Sequence, residues 1–288
     1  MEKRRLPVNT VAIFGVGLIG GSFALALRRA GFDGRILGVD AAETTRRARE
    51  LGVIDEAAPA QAAAQAADLA YLAQPISAIL EILPRLDAWV RPDALITDAG
   101  STKNAIVQRA RETITRCQFL GGHPLAGREL RGVEAADPVL FRDRPYVLTP
   151  RAQAELDHPR VREFTAWLEK IGAVPVILDA PDHDRIVAYT SHLPQLASTA
   201  LASLLESRTE AQSRVFGPAL VDSTRLALSS FDIWGDILAT NRGEIQTALE
   251  TYIRTLQAFA RVLELDPEAM RDYFLKAAKF ADGLKKSP

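Results

Sequence analysis

The sequence has one cysteine, four histidines and almost no net charge. The single cysteine, Cys117, excludes an internal disulfide and any zinc site built from several cysteines, and we expect it to act as a small apolar residue entering a strand. A formal net charge of −1 gives no electrostatic basis for binding nucleic acid. No apolar run is long enough to cross a bilayer, and the opening residues, MEKRRLPVNT, lack the apolar stretch of a signal peptide. We therefore expect a cytoplasmic protein with no membrane partner.

A short apolar run near the start of the chain is followed by a glycine signature, VAIFGVGLIGGS. Gly15, Gly17 and Gly20 form the pattern G-x-G-x-x-G, and apolar residues at helical spacing follow it. In such a strand–turn–helix unit the first glycine permits the tight turn and the second lets a pyrophosphate approach. The third glycine lets the helix pack closely on the strand. The segment therefore predicts a dinucleotide-binding unit.

Leu18 and Ile19 begin the helix that follows the glycines, where free backbone N–H groups can bind phosphate. A second predicted strand, Arg35 to Val39, ends in Asp40. A carboxylate at this place can accept both ribose hydroxyls and would repel a 2′-phosphate, so Asp40 favours NAD as the cofactor. Two arginines in the next segment, ETTRRARELG, could reach a 2′-phosphate, but their helical spacing favours an exposed helix face.

Strand and helix patterns alternate along the first part of the chain and then give way to helices alone. The 288 residues are enough for two domains. We predict an α/β fold, with an N-terminal doubly wound (Rossmann) parallel sheet at 1–180 and a C-terminal all-helical domain at 181–288. Long helical patterns such as RGEIQTALETYIRTLQAFARVL carry more apolar surface than a small domain can bury. We therefore expect a homodimer formed through the helical domain.

Two motifs place polar residues directly after predicted strands. Ser101 follows the strand ALITD, and His123 follows the strand QFL within GGHPLAG. Because the carboxyl ends of parallel strands meet at one rim of the sheet, both residues are expected there, with His123 near the nicotinamide. A neutral imidazole at that point can accept a proton from a substrate hydroxyl while a hydride leaves for the cofactor. The alternative interpretation is a structural histidine in a loop.

The other three histidines carry weaker signals. His192 lies in YTSHLPQLAS, a helical pattern that Pro194 interrupts, and it is interpreted either as part of a substrate wall or as a buried core histidine. His158 and His183 both precede helical segments beside Asp or Pro, and we expect them to be solvated or to cap helices. No cluster of metal-ligating residue types occurs, so no metal is expected.

Five motifs occur in order along the chain: VAIFGVGLIGGS, DAGSTK, GGHPLAGRE, TSHLPQ and STRLALSSFDIW. Together they resemble the prephenate/arogenate (cyclohexadienyl) dehydrogenase family of tyrosine biosynthesis, and the resemblance runs from about Val11 to the last helices. It implies NAD-dependent oxidative decarboxylation of the small molecule prephenate to 4-hydroxyphenylpyruvate. The GGHP-x-x-G and SHLP motifs are specific to that family, whereas the glycine signature is not.

The resemblance also implies roles for individual residues. His123 would hydrogen-bond the ring C4 hydroxyl and take its proton, and Ser101 would orient that hydroxyl and the histidine. Arg225 would hold the ring carboxylate that is lost as carbon dioxide, and His192 would lie against the substrate from the helical side. The further positions that match the family's pocket are Glu129, Asp222 and Gln195.

One departure from the family pattern leaves the substrate open. Many bacterial members have a second histidine after SHLP, where this chain has Gln195, at a position that resembles one near the substrate's side chain. Prephenate is favoured, and arogenate or dual specificity is the alternative. A β-hydroxyacid dehydrogenase or imine reductase is a second alternative, but those dehydrogenases use a lysine in the helical domain, and none lies between Lys170 and Lys276. A nucleotide-sensing scaffold without activity would not need the catalytic histidine, serine and arginine together.

Overall fold

A single eight-stranded sheet forms the centre of the molecule in the computed structural model, which describes residues 8–127, 130–206 and 215–285. The strand order is β3-β2-β1-β4-β5-β6-β7-β8. The strands are β1 (Thr10–Phe14), β2 (Arg35–Val39), β3 (Glu56–Ala57), β4 (Leu69–Leu72), β5 (Leu95–Asp98), β6 (Gln118–Pro124), β7 (Pro145–Thr149) and β8 (Val174–Ile177). This order confirms the predicted doubly wound fold, in which the chain starts near the middle of the sheet and winds outward in both directions.

Helices connect the strands and make up most of the described chain after β8. Those of the sheet region are α1 (Leu18–Arg29), α2 (Ala42–Glu50), α3 (Ala60–Ala66), α4 (Ile76–Trp89), α5 (Asn104–Thr113) and α6 (Pro159–Lys170). Those of the helical region are α7 (Ala180–Val187), α8 (Leu193–Glu206), α9 (Pro218–Thr224), α10 (Phe231–Thr240), α11 (Arg242–Leu265) and α12 (Met270–Lys285). A π-helical turn, Ala188–His192, joins α7 to α8, and a 3-10 turn, Arg225–Leu228, precedes α10.

The sheet is parallel from β3 to β6, but β7 runs antiparallel to β6. In its described part, the connection over residues 125–144 contains no α-helix that would carry the chain back to the start of the sheet. Antiparallel neighbours need no such crossover, whereas β7 and β8 are joined through α6 and are parallel. The last two strands therefore extend the predicted sheet in the opposite direction.

Side chains of β1 alternate between two apolar layers, one on each face of the sheet. Val11 and Ile13 pack with Phe23 of α1 in one layer, while Ala12 and Phe14 pack in the other. The second layer also contains Ile237 and other side chains of the helical region, such as those of α11. The helical region is thus attached to one face of the sheet, and its first helices lie beside the carboxyl ends of β5 and β6.

The far end of the helical region is mostly exposed. Beyond about residue 250, α11 and α12 carry large apolar side chains that are exposed in this chain, among them Ile253, Leu256, Leu263, Phe274 and Phe280. None of the described helices is both long enough and apolar enough to span a membrane. Cys117 is a buried free thiol whose pKa is raised to about 12 by burial, which confirms its expected role as a small apolar residue.

Candidate active site

The glycine turn between β1 and α1 has the tight geometry that the sequence predicts. Gly15 has φ of 91°, and a Cβ there would lie 2.7 Å from the backbone of Ala73. A Cβ on Gly20 would overlap the carbonyl oxygen of Gly15, so helix and strand can touch only with glycine at that position. A Cβ on Gly17 would meet no atom within 4 Å. The space beside Gly17 is therefore open to a ligand group.

The first turn of α1 leaves its backbone N–H groups available. Leu18 and Ile19 begin this helix, which has no side-chain cap at Gly17 and no acidic residue in its first turn. Such an end carries a partial positive charge and suits a phosphate group. The described residues therefore fit a dinucleotide at this turn.

Asp40 lies directly beside the glycine turn, at the end of β2. Its carboxylate accepts hydrogen bonds from the backbone N–H of Val16, at 2.8 Å, and of Ala41, at 2.7 Å, and the side chain is exposed. Carboxylate oxygens have further lone pairs, so Asp40 can also accept ribose hydroxyls. The neighbouring Arg46 and Arg47 form ion pairs with glutamates on the surface of α2 and of the 3-10 turn at Val133–Ala135. These ion pairs agree with the exposed helix face predicted for both arginines.

A buried ion pair that was not predicted from the sequence holds β6 against the end of β5. Asp98 and Lys103 are both fully buried and form a close ion pair. The Lys103 ammonium also donates to the carbonyl of Gly122, at 2.7 Å, and the Asp98 carboxylate accepts from the N–H of Gly122, at 3.1 Å. The backbone N–H and the carbonyl of Gly122 are therefore both fixed immediately before His123.

The two glycines before His123 allow this close packing. A Cβ on Gly122 would lie 2.6 Å from the carbonyl oxygen of Asp98, and a Cβ on Gly121 would overlap the hydroxyl of Thr149. His123 itself is part of β6, opposite Val147 of β7, rather than in the loop beyond the strand. The histidine is therefore carried on a rigid element, as a positioned catalytic group requires.

His123 is the first member of a chain of three buried polar side chains. Its Nδ1 lies 2.8 Å from Nε2 of His183, and Nδ1 of His183 lies 2.7 Å from Oδ1 of Asp184. The expectation that His183 is solvated or a helix cap was wrong, because α7 brings its side chain to the end of β6 and buries it completely. His158, by contrast, accepts a hydrogen bond from the N–H of Arg160 at the start of α6, which confirms its capping role.

Burial sets the protonation state of this site. Burial, together with the charges of His183, Lys103 and His192, holds the pKa of His123 well below its usual range. The pKa of His183 is also lowered by burial, against the opposing effect of its hydrogen bond to Asp184. Both imidazoles are therefore neutral at neutral pH, and a neutral imidazole can accept a proton.

The helical region contributes a second buried histidine near this chain. His192 ends the π-helical turn, packs edge-on against Trp234 with ring centroids 5.7 Å apart, and lies 3.3 Å from the side-chain amide of Asn241. Burial lowers its pKa to about 4. The interruption predicted at Pro194 takes the form of this π turn just before it, a feature frequently found at functional sites.

Gln195 binds the backbone of the turn that carries Arg225. The buried amide of Gln195 donates to the carbonyl of Leu226, at 2.7 Å, so α8 holds the 3-10 turn that begins with Arg225. Arg225 and Asp222 are both exposed in this chain. Ser101 is partly buried beyond β5, and His123 is hydrogen-bonded by His183 and not by Ser101. Glu129 lies outside the described residues.

The described part of the site combines a dinucleotide turn with a neutral, buried and rigidly held imidazole, that of His123. No group of three His, Cys, Asp or Glu side chains in the described ranges is arranged to hold a metal ion. Asp98, Lys103, His183 and Asp184 were not predicted from the sequence as site residues. The only signal for the first pair was the motif DAGSTK itself, whose two charged ends lie five positions apart. For His183 and Asp184 the only signal was a His-Asp dipeptide near the start of a predicted helix.

Comparison with known proteins places the chain in a family. The family model for the prephenate dehydrogenase nucleotide-binding domain matches residues 23–177, and that for the prephenate dehydrogenase dimerization domain matches residues 179–280. The chain is 33% identical to a prephenate dehydrogenase of Lactococcus lactis over 285 residues, which cover 96% of this chain and 78% of the relative. It is 29% identical to a cyclohexadienyl dehydrogenase of Zymomonas mobilis over 283 residues, which cover 96% of each protein.

A solved structure agrees over nearly the whole fold. The crystal structure of prephenate dehydrogenase from Aquifex aeolicus, in complex with hydroxyphenyl propionate and NAD+, superposes with a TM-score of 0.89 at 31% sequence identity. The match covers 98% of this chain and 100% of that one. The chain therefore belongs to the prephenate dehydrogenase family.

Proposed function

We propose that this protein catalyses the NAD-dependent oxidative decarboxylation of prephenate to 4-hydroxyphenylpyruvate, a step of tyrosine biosynthesis, in the cytoplasm. The observation that carries the proposal is the neutral, buried His123 on β6, at the same rim of the sheet as the dinucleotide turn. Membership of the prephenate dehydrogenase family supports the same reaction. Dehydrogenation of arogenate to tyrosine is the alternative activity.

The cofactor is NAD, held at the turn of Gly15, Gly17 and Gly20 and by the N–H groups of Leu18 and Ile19. Asp40 would accept the ribose hydroxyls with the lone pairs that its two backbone donors leave free. When bound, NAD accepts a hydride. Arg46 and Arg47, on the helix that follows Asp40, form ion pairs with glutamates, which leaves Asp40 as the group that selects against a 2′-phosphate.

His123 is the base of the reaction. It takes the proton of the C4 hydroxyl as the ring loses a hydride from C4, and the C1–carboxylate bond then breaks to release carbon dioxide. The remaining electron pair makes the ring aromatic, and the proton held on His123 returns to the ring oxygen. The protein therefore needs only to orient the substrate, hold one proton and bind carboxylates, with no metal. Ser101 would help to orient the hydroxyl at the rim.

The helical region supplies the substrate side of the site. Arg225 would pair with the ring carboxylate through its planar guanidinium, and Gln195 holds the turn that carries this arginine. His192 would form part of the pocket wall. The further residues that we assign to the substrate pocket from the family motifs are Asp222 and Glu129.

The chain divides into two domains at about residue 180, a dinucleotide-binding domain at 1–180 and a helical domain at 181–288. The second domain matches a dimerization domain, and the exposed apolar side chains of α11 and α12 suit a homodimer formed through these helices.

Measurement of NADH production with three substrates tests the proposal. With NAD in excess we expect prephenate to give the highest kcat/KM, arogenate a lower value, and a β-hydroxyacid none. Release of one carbon dioxide per NADH is the matched check on the decarboxylation. Turnover of the β-hydroxyacid alone would reject the proposal, and a higher kcat/KM for arogenate would assign the alternative.

A further inference from the structure

The buried pair His183 and Asp184 has no part in the reaction as described so far, although it contacts the base directly. A buried histidine needs a hydrogen-bond partner, but it does not need a second histidine and a carboxylate in series. The order of these groups determines which nitrogen of His123 carries its hydrogen.

Asp184 is fixed as an acceptor at one end of the chain. Its Oδ1 accepts from the backbone N–H of Lys103, at 2.7 Å, and its Oδ2 from that of Asn104, at 2.9 Å, both at the start of α5. An ionised carboxylate has no hydrogen to donate, so the contact with His183 requires the hydrogen to lie on Nδ1 of His183.

The position of the hydrogen on His183 determines its position on His123. A neutral His183 with its hydrogen on Nδ1 has a lone pair on Nε2, which accepts from Nδ1 of His123 over 2.8 Å. His123 therefore carries its hydrogen on Nδ1 and has an unprotonated Nε2, the nitrogen that a base must offer.

The charged and titratable groups around the two rings are consistent with this state. From the end of β5 and the start of α5, Asp98 and Lys103 form a closed ion pair that also binds the backbone N–H and carbonyl of Gly122. From the helical side, His192 hydrogen-bonds Asn241, whose amide also donates to the carbonyl of Asp184. None of these groups competes for Nδ1 of His123.

We propose that His183, oriented by Asp184, is a positioning residue that keeps the hydrogen of His123 on Nδ1 and so leaves Nε2 free to take the substrate's proton. The inference rests on the proposed role of His123 as the base. A carboxylate that orients a catalytic histidine is a known device in hydrolases, where its loss selects the wrong tautomer. Here a second imidazole stands between the carboxylate and the base.

Nitrogen-15 NMR of the histidine side chains tests the inference directly in the full-length enzyme. The chain has four histidines, so each ring can be assigned by its absence from the spectrum of a single variant. At neutral pH we expect His123 and His183 both to be neutral, with the hydrogen on Nδ1. A spectrum with the hydrogen of His123 on Nε2 would overturn the inference, whether or not prephenate is the substrate.

Two variants of His183 separate tautomer control from packing. His183→Leu removes the acceptor, so we expect kcat to fall at least about tenfold, with KM and NAD affinity within about threefold of wild type. His183→Gln offers an acceptor to His123 and a donor to Asp184, so it should recover most of the lost kcat. His158→Gln, remote from the site, is the control.

Equal loss of kcat in both His183 variants, or wild-type kcat in His183→Leu, would contradict the inference. Failure of the wild-type enzyme to oxidise prephenate or arogenate would instead refute the proposed function.

Discussion

At the residue scale, the site is built from three histidines that burial keeps neutral. His123, His183 and His192 are each less than a tenth exposed, and the pKa of each is lowered, first of all by burial. The reference value of about 6.5 would place half-protonation of the base close to neutral pH. Because the pKa of His123 lies well below that value, the base keeps its lone pair in mildly acidic solution.

The same burial predicts loss of stability in acid. The unfolded chain takes up these protons near pH 6.5, whereas folded His192 does so only near its pKa of about 4. The unfolded state therefore binds more protons between these pH values, and the free energy of unfolding falls as the pH drops through this window. For His192 alone the full loss is on the order of 3 kcal/mol.

Urea unfolding at several pH values between about 7 and 4 measures this loss. We expect His192→Gln to show a shallower dependence of stability on pH than wild type. The same pH dependence in wild type and His192→Gln would show that His192 is not held neutral by the fold.

The choice between NAD and NADP is also expected to depend on one residue, Asp40. Replacement by serine removes the negative charge but keeps a hydroxyl, so we expect the ratio of kcat/KM for NAD to that for NADP to narrow by about tenfold. Asp33→Ser changes an exposed carboxylate elsewhere on the sheet domain and should leave the ratio unchanged. Wild-type enzyme that used NADP as well as NAD would contradict the role given to Asp40.

At the scale of elements, a short turn places the arginine that we propose to bind the substrate. The 3-10 turn Arg225–Leu228 is bound to α8 through Gln195 and through the hydroxyl of Ser198, which accepts from the N–H of Ala227 at 3.2 Å. Arg225 therefore begins a turn whose backbone is fixed, although the side chain is exposed.

We expect Arg225→Gln to raise KM for prephenate by about tenfold or more, because a charge-assisted pair with a carboxylate is lost, while kcat changes little. Arg254→Gln replaces an exposed arginine of α11, whose guanidinium donates a hydrogen bond to the hydroxyl of Thr251, and should leave KM unchanged. Steady-state kinetics with saturating NAD measures kcat and KM for both variants. A fall in kcat with constant KM would instead place Arg225 in the chemical step.

Local sequence predicted the elements well but not the contacts between them. The glycine turn could be predicted because strand, turn and helix are contiguous, and the steric need for Gly15 and Gly20 arises within that unit. The bond between His123 and His183 spans 60 positions and depends on how α7 packs against the end of β6. A histidine beside an aspartate has no pattern that shows its partner, so its burial could not be deduced from the sequence.

The strands likewise were predictable where they depend on local sequence and not where they depend on contacts between elements. The strands β1, β2, β5 and β6 were predicted from apolar runs, and β2 was predicted to the residue. The two-residue β3 has no such run, since it forms only by pairing with β2. The reversal at β7 is a property of chain connection, which residue patterns do not carry.

At the scale of the whole molecule, the exposed helices α11 and α12 point to a dimer. Leu256 and Phe280 are exposed in this chain, with others on the same two helices, and apolar surface of this extent is typical of an interface. We expect light scattering at micromolar concentration to give about twice the chain mass of 31.4 kDa.

Charge introduced on these helices should separate the subunits. The double variant Leu256→Glu, Phe280→Glu is expected to lower the mass towards that of one chain. Leu51→Glu, at a comparably exposed leucine near the end of α2, should leave the mass unchanged. A single-chain mass for the wild-type protein would refute the dimer.

The role of His123 as the base is the centre of the account, and kinetics of His123→Asn across pH test it most directly. Asparagine keeps a polar side chain but cannot accept the proton, so we expect kcat with prephenate to fall about a hundredfold or more, with little change in prephenate binding. In the wild type, kcat/KM should decline only well below pH 6.5, since burial lowers the pKa of His123, and this acid limb should disappear in the variant. Near-normal kcat in His123→Asn, or an unchanged acid limb, would contradict the account.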